Sequence, residues 1–370
     1  MKKLFRYKRI FLLGLMPLSY LLIFAAKNSS FFAEQIYAKH IYRWISQSVS
    51  TITGIFPFSI GEIMVIASPI LLLAIAVRFI VRLFFEKKNK KERIVKAFLN
   101  LLCVGSVILF LFTIMAGINY YRYSFSKYSH LEIRDSSLEE LYALTQSLAD
   151  TANELRAQVP KEDDNGVFKL SMNHYELAKA AVKAYRVLSI DYPVLAGSYG
   201  PPKPVYFSKL MSQTEITGIF WPFTMEANVN VDIPDYSIPE TMLHELAHLR
   251  GFMREDEANF LSYLAGTESD NIELKYSTTM LALITASNAL YDQSPVMYTE
   301  IANQYSEGVI KDLQANNEYW EQFEHTVVST VSNKINDTYL KANNQSDGVK
   351  SYGRMLDLLL AKYRKDHDND

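Results

Sequence analysis

Apolar and polar positions divide the chain into two unlike parts. Residues 10–26, 63–77 and 97–118 carry no charge, and Arg78 and Arg82 can snorkel so that the second run extends to residue 85. Each run approaches the length that crosses a hydrocarbon layer as a helix, so three N-terminal transmembrane helices are expected, over 10–26, 63–85 and 97–118. The first run could instead be a cleaved leader, but Lys27 directly follows Ala25-Ala26 and no small-x-small site stands out. Residues 44–61 are also uncharged, yet Gly54, Pro57 and frequent Ser and Thr argue for an interfacial or re-entrant piece and against a fourth span. This sets a membrane anchor over 1–119 and a separate domain over 120–370.

Beyond residue 120 the period changes. Leu138, Leu141, Leu144, Leu148, Ala152 and Leu155 recur at helical spacing, and Ser136-x-x-Glu139 predicts a capping box before them. A second helix is expected over 173–188. Loop residues 192–204 then lead into three short strand-like pieces, at 205–207, 216–220 and 227–231. After Pro239 the pattern is helical to the end, apart from an interruption at 348–353. The expected class is mainly α: three membrane helices plus an α+β domain with a small sheet.

Basic residues give the orientation. Lys2, Lys3, Arg6, Lys8 and Arg9 precede the first run, and Lys87, Lys88, Lys90, Lys91, Arg93 and Lys96 lie around the second-to-third connection. The residues between the first and second runs hold only Lys27, Lys39 and Arg43. An excess of Lys and Arg marks cytoplasmic loops, so a cytoplasmic N-terminus and an extracytoplasmic C-terminal domain in a multi-pass cell-membrane protein are expected. The formal net charge of −2 offers no basic field for nucleic acid. The single cysteine, Cys103, sits in an apolar run and excludes thiolate metal clusters, leaving His and carboxylate as ligands.

The chemistry concentrates in His244-Glu245-Leu-Ala-His248. Ser237-x-x-Glu240 reads as a second capping box, Pro239 suits a first turn, and Gly251 suits a stop. On a helix, four-residue spacing puts His244 and His248 one turn apart on one face, where both imidazoles can reach one Zn2+ ion. Glu245 lies about 100° around, in the position of a general base. Two incidental histidines on a surface helix are the bland alternative. A third ligand must come from elsewhere, and Glu255 and Glu257 are candidates that a helix would place on different faces.

From its His-Glu-x-x-His helix followed by Glu255-x-x-Ala258-Asn259, the chain resembles the gluzincin metallopeptidases. The resemblance implies a zincin-like domain with Zn2+ held by His244, His248 and Glu255 (Glu257 being the alternative). On a helix Asn259 shares the Glu255 face one turn on, where its amide is expected to orient that carboxylate. The whole chain more closely resembles a bacterial membrane family, the domain-of-unknown-function 3810 family. That likeness rests on the N-terminal spans, Pro57-Phe58-Ser59-Ile60-Gly61-Glu62, residues 223–230, residues 244–260, Lys341 to Asn343 and Ser351-Tyr352-Gly353.

Glu226 is a candidate for the substrate cleft through a faint likeness to the Gly-x-Met-Glu-Asn strand of zinc aminopeptidases; a strand-end structural carboxylate is the other reading. For an oxyanion donor, Tyr352 is preferred over His325, Tyr339 and Arg354 because Tyr352-Gly353 interrupts helix. The expected function is peptide-bond hydrolysis by a membrane-anchored metallopeptidase, with a peptide or protein substrate at the cell envelope and the lipid bilayer as partner. A non-catalytic sensor or scaffold with a structural zinc, and a zinc amidohydrolase acting on cell-wall peptides, are the competing classes.

Overall fold

The computed structural model describes residues 8–85, 89–345 and 354–367. Three helices are long and apolar enough to cross a membrane: Arg9–Asn28, Ile60–Phe85 and Lys90–Met115. Within the first, α1 is Leu15–Asn28; the others are α3 and α4, with α2 (Arg43–Thr53) between α1 and α3. Pro69 lies inside α3, away from its ends. α1 packs along α4, whereas the apolar window of α3 buries nothing inside the protein.

The span ends that adjoin the rest of the chain all meet one body. After α1, Glu34 pairs with Arg122, which follows α4, at 2.7 Å, with both side chains buried. The hydroxyl of Tyr37 donates to the Ile114 carbonyl at the end of α4. The N–H groups of Ile60 and Gly61, at the start of α3, donate to the Glu226 carboxylate. Residues 29–59 therefore pack with the described part of 116–345 at the Asn28, Ile60 and Met115 ends of the three spanning-length helices.

The 44–61 segment, expected to be interfacial or re-entrant, packs against the domain through its polar side. Its helix turns small polar groups inward: Ser50 Oγ accepts from Gly200 N at 2.8 Å, and the Thr53 hydroxyl donates to the Thr224 carbonyl at 3.0 Å. Trp44, Ile52 and Ile55 face out. Residues 29–59, grouped with the anchor from sequence, pack on the domain that follows.

That domain contains α5 (Ser126–Ser129), α6 (Leu138–Arg156), α7 (His174–Asp191), α8 (Ser208–Gln213), α9 (Ser237–Leu249), α10 (Glu255–Thr267) and α11 (Ile272–Gln293). It closes with α12 (Pro295–Ala302), α13 (Glu307–Glu321), α14 (Val327–Ala342) and α15 (Met355–His367). The sheet has three strands, β1 (Lys203–Pro204), β2 (Gly218–Trp221) and β3 (Glu226–Val229), in the order β1-β3-β2. β1 runs parallel to β3, and β2 antiparallel with Gly218 opposite Val229 and Trp221 opposite Glu226. The expected strand at 205–207 does not form. The N–H groups of Tyr206 and Phe207 are taken by the Glu62 carboxylate at the start of α3, which pulls them off the ladder.

α6 buries Leu141, Leu144, Leu148 and Ala152, as its period predicts. Its capping box is Ser137 with Glu140, one residue later than expected. The Ser-Ser and Glu-Glu doublets permit either register, and Ser136 is drawn away because its Oγ accepts from Arg364. α9 sits at the centre, with β2 and β3 on one side and α7, α10 and α11 around the rest. Residues 241–249 are all buried.

Candidate metal and active site

α9 does not use the capping box expected at Ser237 and Glu240: Ser237 is already helical and makes no side-chain cap. A neighbouring helix supplies the missing acceptor, since Glu240 N donates to Ser277 Oγ on α11 at 2.9 Å. The other end follows the sequence. Gly251 takes φ +87°, Gly251 N donates to the His248 carbonyl at 2.8 Å, and Phe252 N donates to the Ala247 carbonyl at 3.1 Å. These two bonds form a Schellman stop, in which a residue with a Cβ would be strained. The Tyr42 hydroxyl donates to the carbonyls of His248 and Leu249, tying the same end to the segment after α1.

Between α9 and α10 the side chains of His244, His248 and Glu255 converge, one potential ligand atom from each lying within 4.8 Å of the others. Glu255 Oε2 is 3.2 Å from His244 Nε2 and 3.5 Å from His248 Nε2. Each imidazole is oriented from behind. His244 Nδ1–H donates to Asn259 Oδ1 at 2.6 Å, and His248 Nδ1–H donates to the Phe252 carbonyl at 2.8 Å. Both Nε2 atoms are thereby left as inward-facing donors for a cation, the arrangement that fixes the tautomer of a ligating histidine. Asn259 thus orients His244, and not the Glu255 carboxylate as expected.

Glu257 is placed elsewhere. Its carboxylate accepts from Phe125 N at 2.6 Å and pairs with Arg254, which occupies a buried charge structurally. Gln345 Oε1 accepts from Glu255 N and so holds the first turn of α10 at the site. No sequence pattern announces that contact across 90 residues.

Glu245 is buried beside the three ligands, and its Oε2 has no hydrogen-bond partner among the described residues. Burial raises its carboxyl, the two imidazoles oppose that, and the balance lies at about 7. Phe220 N on β2 also hydrogen-bonds to this carboxylate. Burial acts to raise Glu255 as well, but the adjacent histidines hold it well below the usual carboxylate range. Burial lowers His244, and Glu255 outweighs it to give about 9. His244 and Glu255 therefore each favour the charged form of the other.

β2 approaches closely: a Cβ at Gly218 would lie 2.5 Å from Glu245 Oε1. Glu226, the residue expected in the substrate cleft, stands on the central strand β3, whereas β2 is an edge strand. Gly218 was missed, and an isolated Gly in an apolar strand-like run is the signal that could have marked it.

Glu226 does not line an open cleft. It is 3% exposed, and its oxygens accept from Ile60 N, Gly61 N, the Thr224 hydroxyl and Lys203 Nζ. Tyr352 and the interruption at 348–353 lie outside the described residues. Among its competitors, Tyr339 is the one whose titration senses Glu255. Its hydroxyl is raised by burial and by the Glu255 charge, and it shares a 2.9 Å hydrogen bond with Tyr120.

The family described as "Protein of unknown function (DUF3810)" matches residues 37–360. No curated protein and no solved structure matches the chain.

Proposed function

The chain belongs to that family, and from its own geometry we propose that it is a membrane-anchored zinc metallopeptidase. The observation that carries this reading is a buried carboxylate oxygen without a partner, Glu245 Oε2, beside three convergent ligand atoms. His244 Nε2, His248 Nε2 and a Glu255 oxygen would hold the ion. Bound there, zinc supplies Lewis acidity toward a carbonyl oxygen and toward water.

Glu245 takes a proton from the attacking water and returns it to the leaving nitrogen. A buried carboxylate with one unpartnered oxygen beside the three convergent side chains is placed for that role. Asn259 and the Phe252 carbonyl keep the two imidazoles from turning. β2 has β3 on one side only, so its other edge can take an extended peptide as an added strand. A purely structural zinc would close its shell with a fourth protein ligand and would have no use for Glu245.

The full-length protein should bind about one zinc per chain. Glu245→Gln should keep that zinc and lose turnover by roughly 10²–10⁴-fold, since it removes the base and leaves the ligands. Unchanged turnover of a confirmed substrate by Glu245→Gln would overturn the mechanism. For orientation, the Lys and Arg distribution supports an extracytoplasmic domain. A topology reporter fused after Asp370 should be active outside the cytoplasm and one fused near Lys90 inside; the opposite pattern reverses the assignment.

A further inference from the structure

β2 links the candidate site to the start of a spanning-length helix. At its first residue, Gly218, a Cβ would meet Glu245 Oε1 at 2.5 Å. At its last residue, the Trp221 ring lies against Gly61, where a Cβ would be 3.0 Å from the indole. Gly61 is in the first turn of α3, and Glu226, opposite Trp221 in the ladder, accepts the N–H groups of Ile60 and Gly61. The two contacts lie three residues apart along the strand, about 10 Å at ~3.3 Å per residue.

The apolar stretch of α3 begins close to that point. Ile63, Met64, Val65 and Ile66 in the next turn of α3 are exposed. Ile55, Phe56, Phe58, Tyr206, Phe207 and Leu210 form an exposed apolar collar beside it, the composition of a membrane-interface belt. The collar's position is fixed by bonds, since Glu62 of α3 holds the N–H groups of Tyr206 and Phe207. Lys39 and Arg43 flank exposed Trp44 on the neighbouring helix, as expected of a surface resting on headgroups. Glu245 therefore stands on the order of 10 Å along the strand from the start of α3, a distance comparable with the roughly 5–8 Å that the headgroup layer adds to each side of the hydrocarbon.

α3 is also the span with a free flank. α1 packs along α4, while α3 touches the rest of the protein at its β3 end. A second membrane chain passing beside α3 would deliver its first extramembrane residues to the side of β2 that carries no strand.

We propose that the substrate is a polypeptide anchored in the same bilayer, cut within its juxtamembrane segment. The proposal rests on the metallopeptidase reading and narrows its substrate class. An extended chain covers ~3.3–3.6 Å per residue, so the scissile bond falls roughly three to six residues beyond the hydrocarbon. Water is the only co-reactant. The peptide C–N bond breaks, oxygen from water completes the new carboxyl group, and its protons are shared between the carboxyl and amine products. The anchor supplies affinity by confining the substrate next to the site, so a free peptide of the same sequence is a poor substrate.

The test uses the full-length zinc-loaded protein in lipid nanodiscs. One cleavable sequence is presented about 4, 10, 20 and 30 residues from a transmembrane helix, at the same spacings from an acyl anchor, and as a free peptide. Cleavage should be fastest at the shortest spacers and at least tenfold slower at the longest spacer and for the free peptide. The two anchor series show whether a helix beside α3 or any lipid attachment suffices. Equal rates for every spacer and for free peptide overturn the proposal and leave the metallopeptidase reading standing. No cleavage of any form, with wild type matching Glu245→Gln, overturns that reading and the proposal with it. A readout without activity is available because the chain has three tryptophans. With Trp44→Phe and Trp320→Phe in place, Trp221 should be quenched by lipids brominated near the headgroup; absence of quenching places β2 away from the bilayer and overturns the proposal.

Discussion

Asn259 Oδ1 lies 2.6 Å from His244 Nδ1, so the helix that contributes Glu255 also sets the ring orientation of a histidine on the preceding helix. α9 and α10 thus share the site twice, through the converging carboxylate and through the amide behind the imidazole. The consequence is testable without a substrate. Asn259→Ala should leave the protein folded and weaken zinc binding by roughly 10–100-fold, the usual cost of losing such a partner. Zinc affinity by competition with a chromophoric chelator checks it, and unchanged affinity would remove Asn259 from the site.

Glu255 and Glu257 should separate cleanly. Glu255→Gln should lower bound zinc sharply while melting close to wild type. Glu257→Ala should retain zinc when folded but lose on the order of 3 kcal/mol of stability, because Arg254 and Phe125 N would lose a buried partner. Metal analysis and thermal melts of the two purified variants decide it, and the reverse pattern would exchange their roles.

Gly218 should be needed for turnover and not for metal binding. A Cβ there would meet Glu245 Oε1, Thr241 Cγ2 and Glu245 Cγ, all within 2.8 Å. Gly218→Ala should therefore displace the carboxylate, cutting turnover by about tenfold or more, since proton transfer depends on hydrogen-bond geometry. Zinc content should stay at the wild-type value. A variant with full turnover would show that β2 can retreat from Glu245 at no cost.

Glu140 carries an acid-sensitive contribution distant from the site. Hydrogen bonds from Arg134 and Ser137 N lower its carboxyl from 4.5 to about 2. A folded value below the unfolded one means that the contribution is fully present above pH 4.5 and disappears as pH falls to about 2. Glu140→Gln should melt below wild type at pH 7, and the gap should close in acid. A gap independent of pH would assign the effect to packing at the start of α6.

The spanning-length helices and the helical pairing of His244 with His248 were legible along the chain because both follow from local periodicity: uncharged runs of bilayer length, and two imidazoles one turn apart. Gly251 was legible for the same reason, since a helix stop is settled within a few residues. What packs against each helix was not. Glu255 and Glu257 lie on one helix with nearly equal local surroundings, and only the docking of α10 on α9 turns Glu255 to the histidines and Glu257 to Phe125 and Arg254. The start of α9 depends on Ser277 from another helix, which no nearby residue reports. Glu226 is not in the expected cleft, and Gly218 lies beside Glu245 unannounced, because strand order sets which carboxylate is sealed by Lys203 and α3 and which strand approaches Glu245. Residues 29–59 read as a loop between membrane helices, yet their small polar groups find acceptors and donors more than a hundred residues away. Periodicity acts over neighbours in sequence, whereas partner choice for a buried polar group is decided by whichever distant surface arrives to satisfy it.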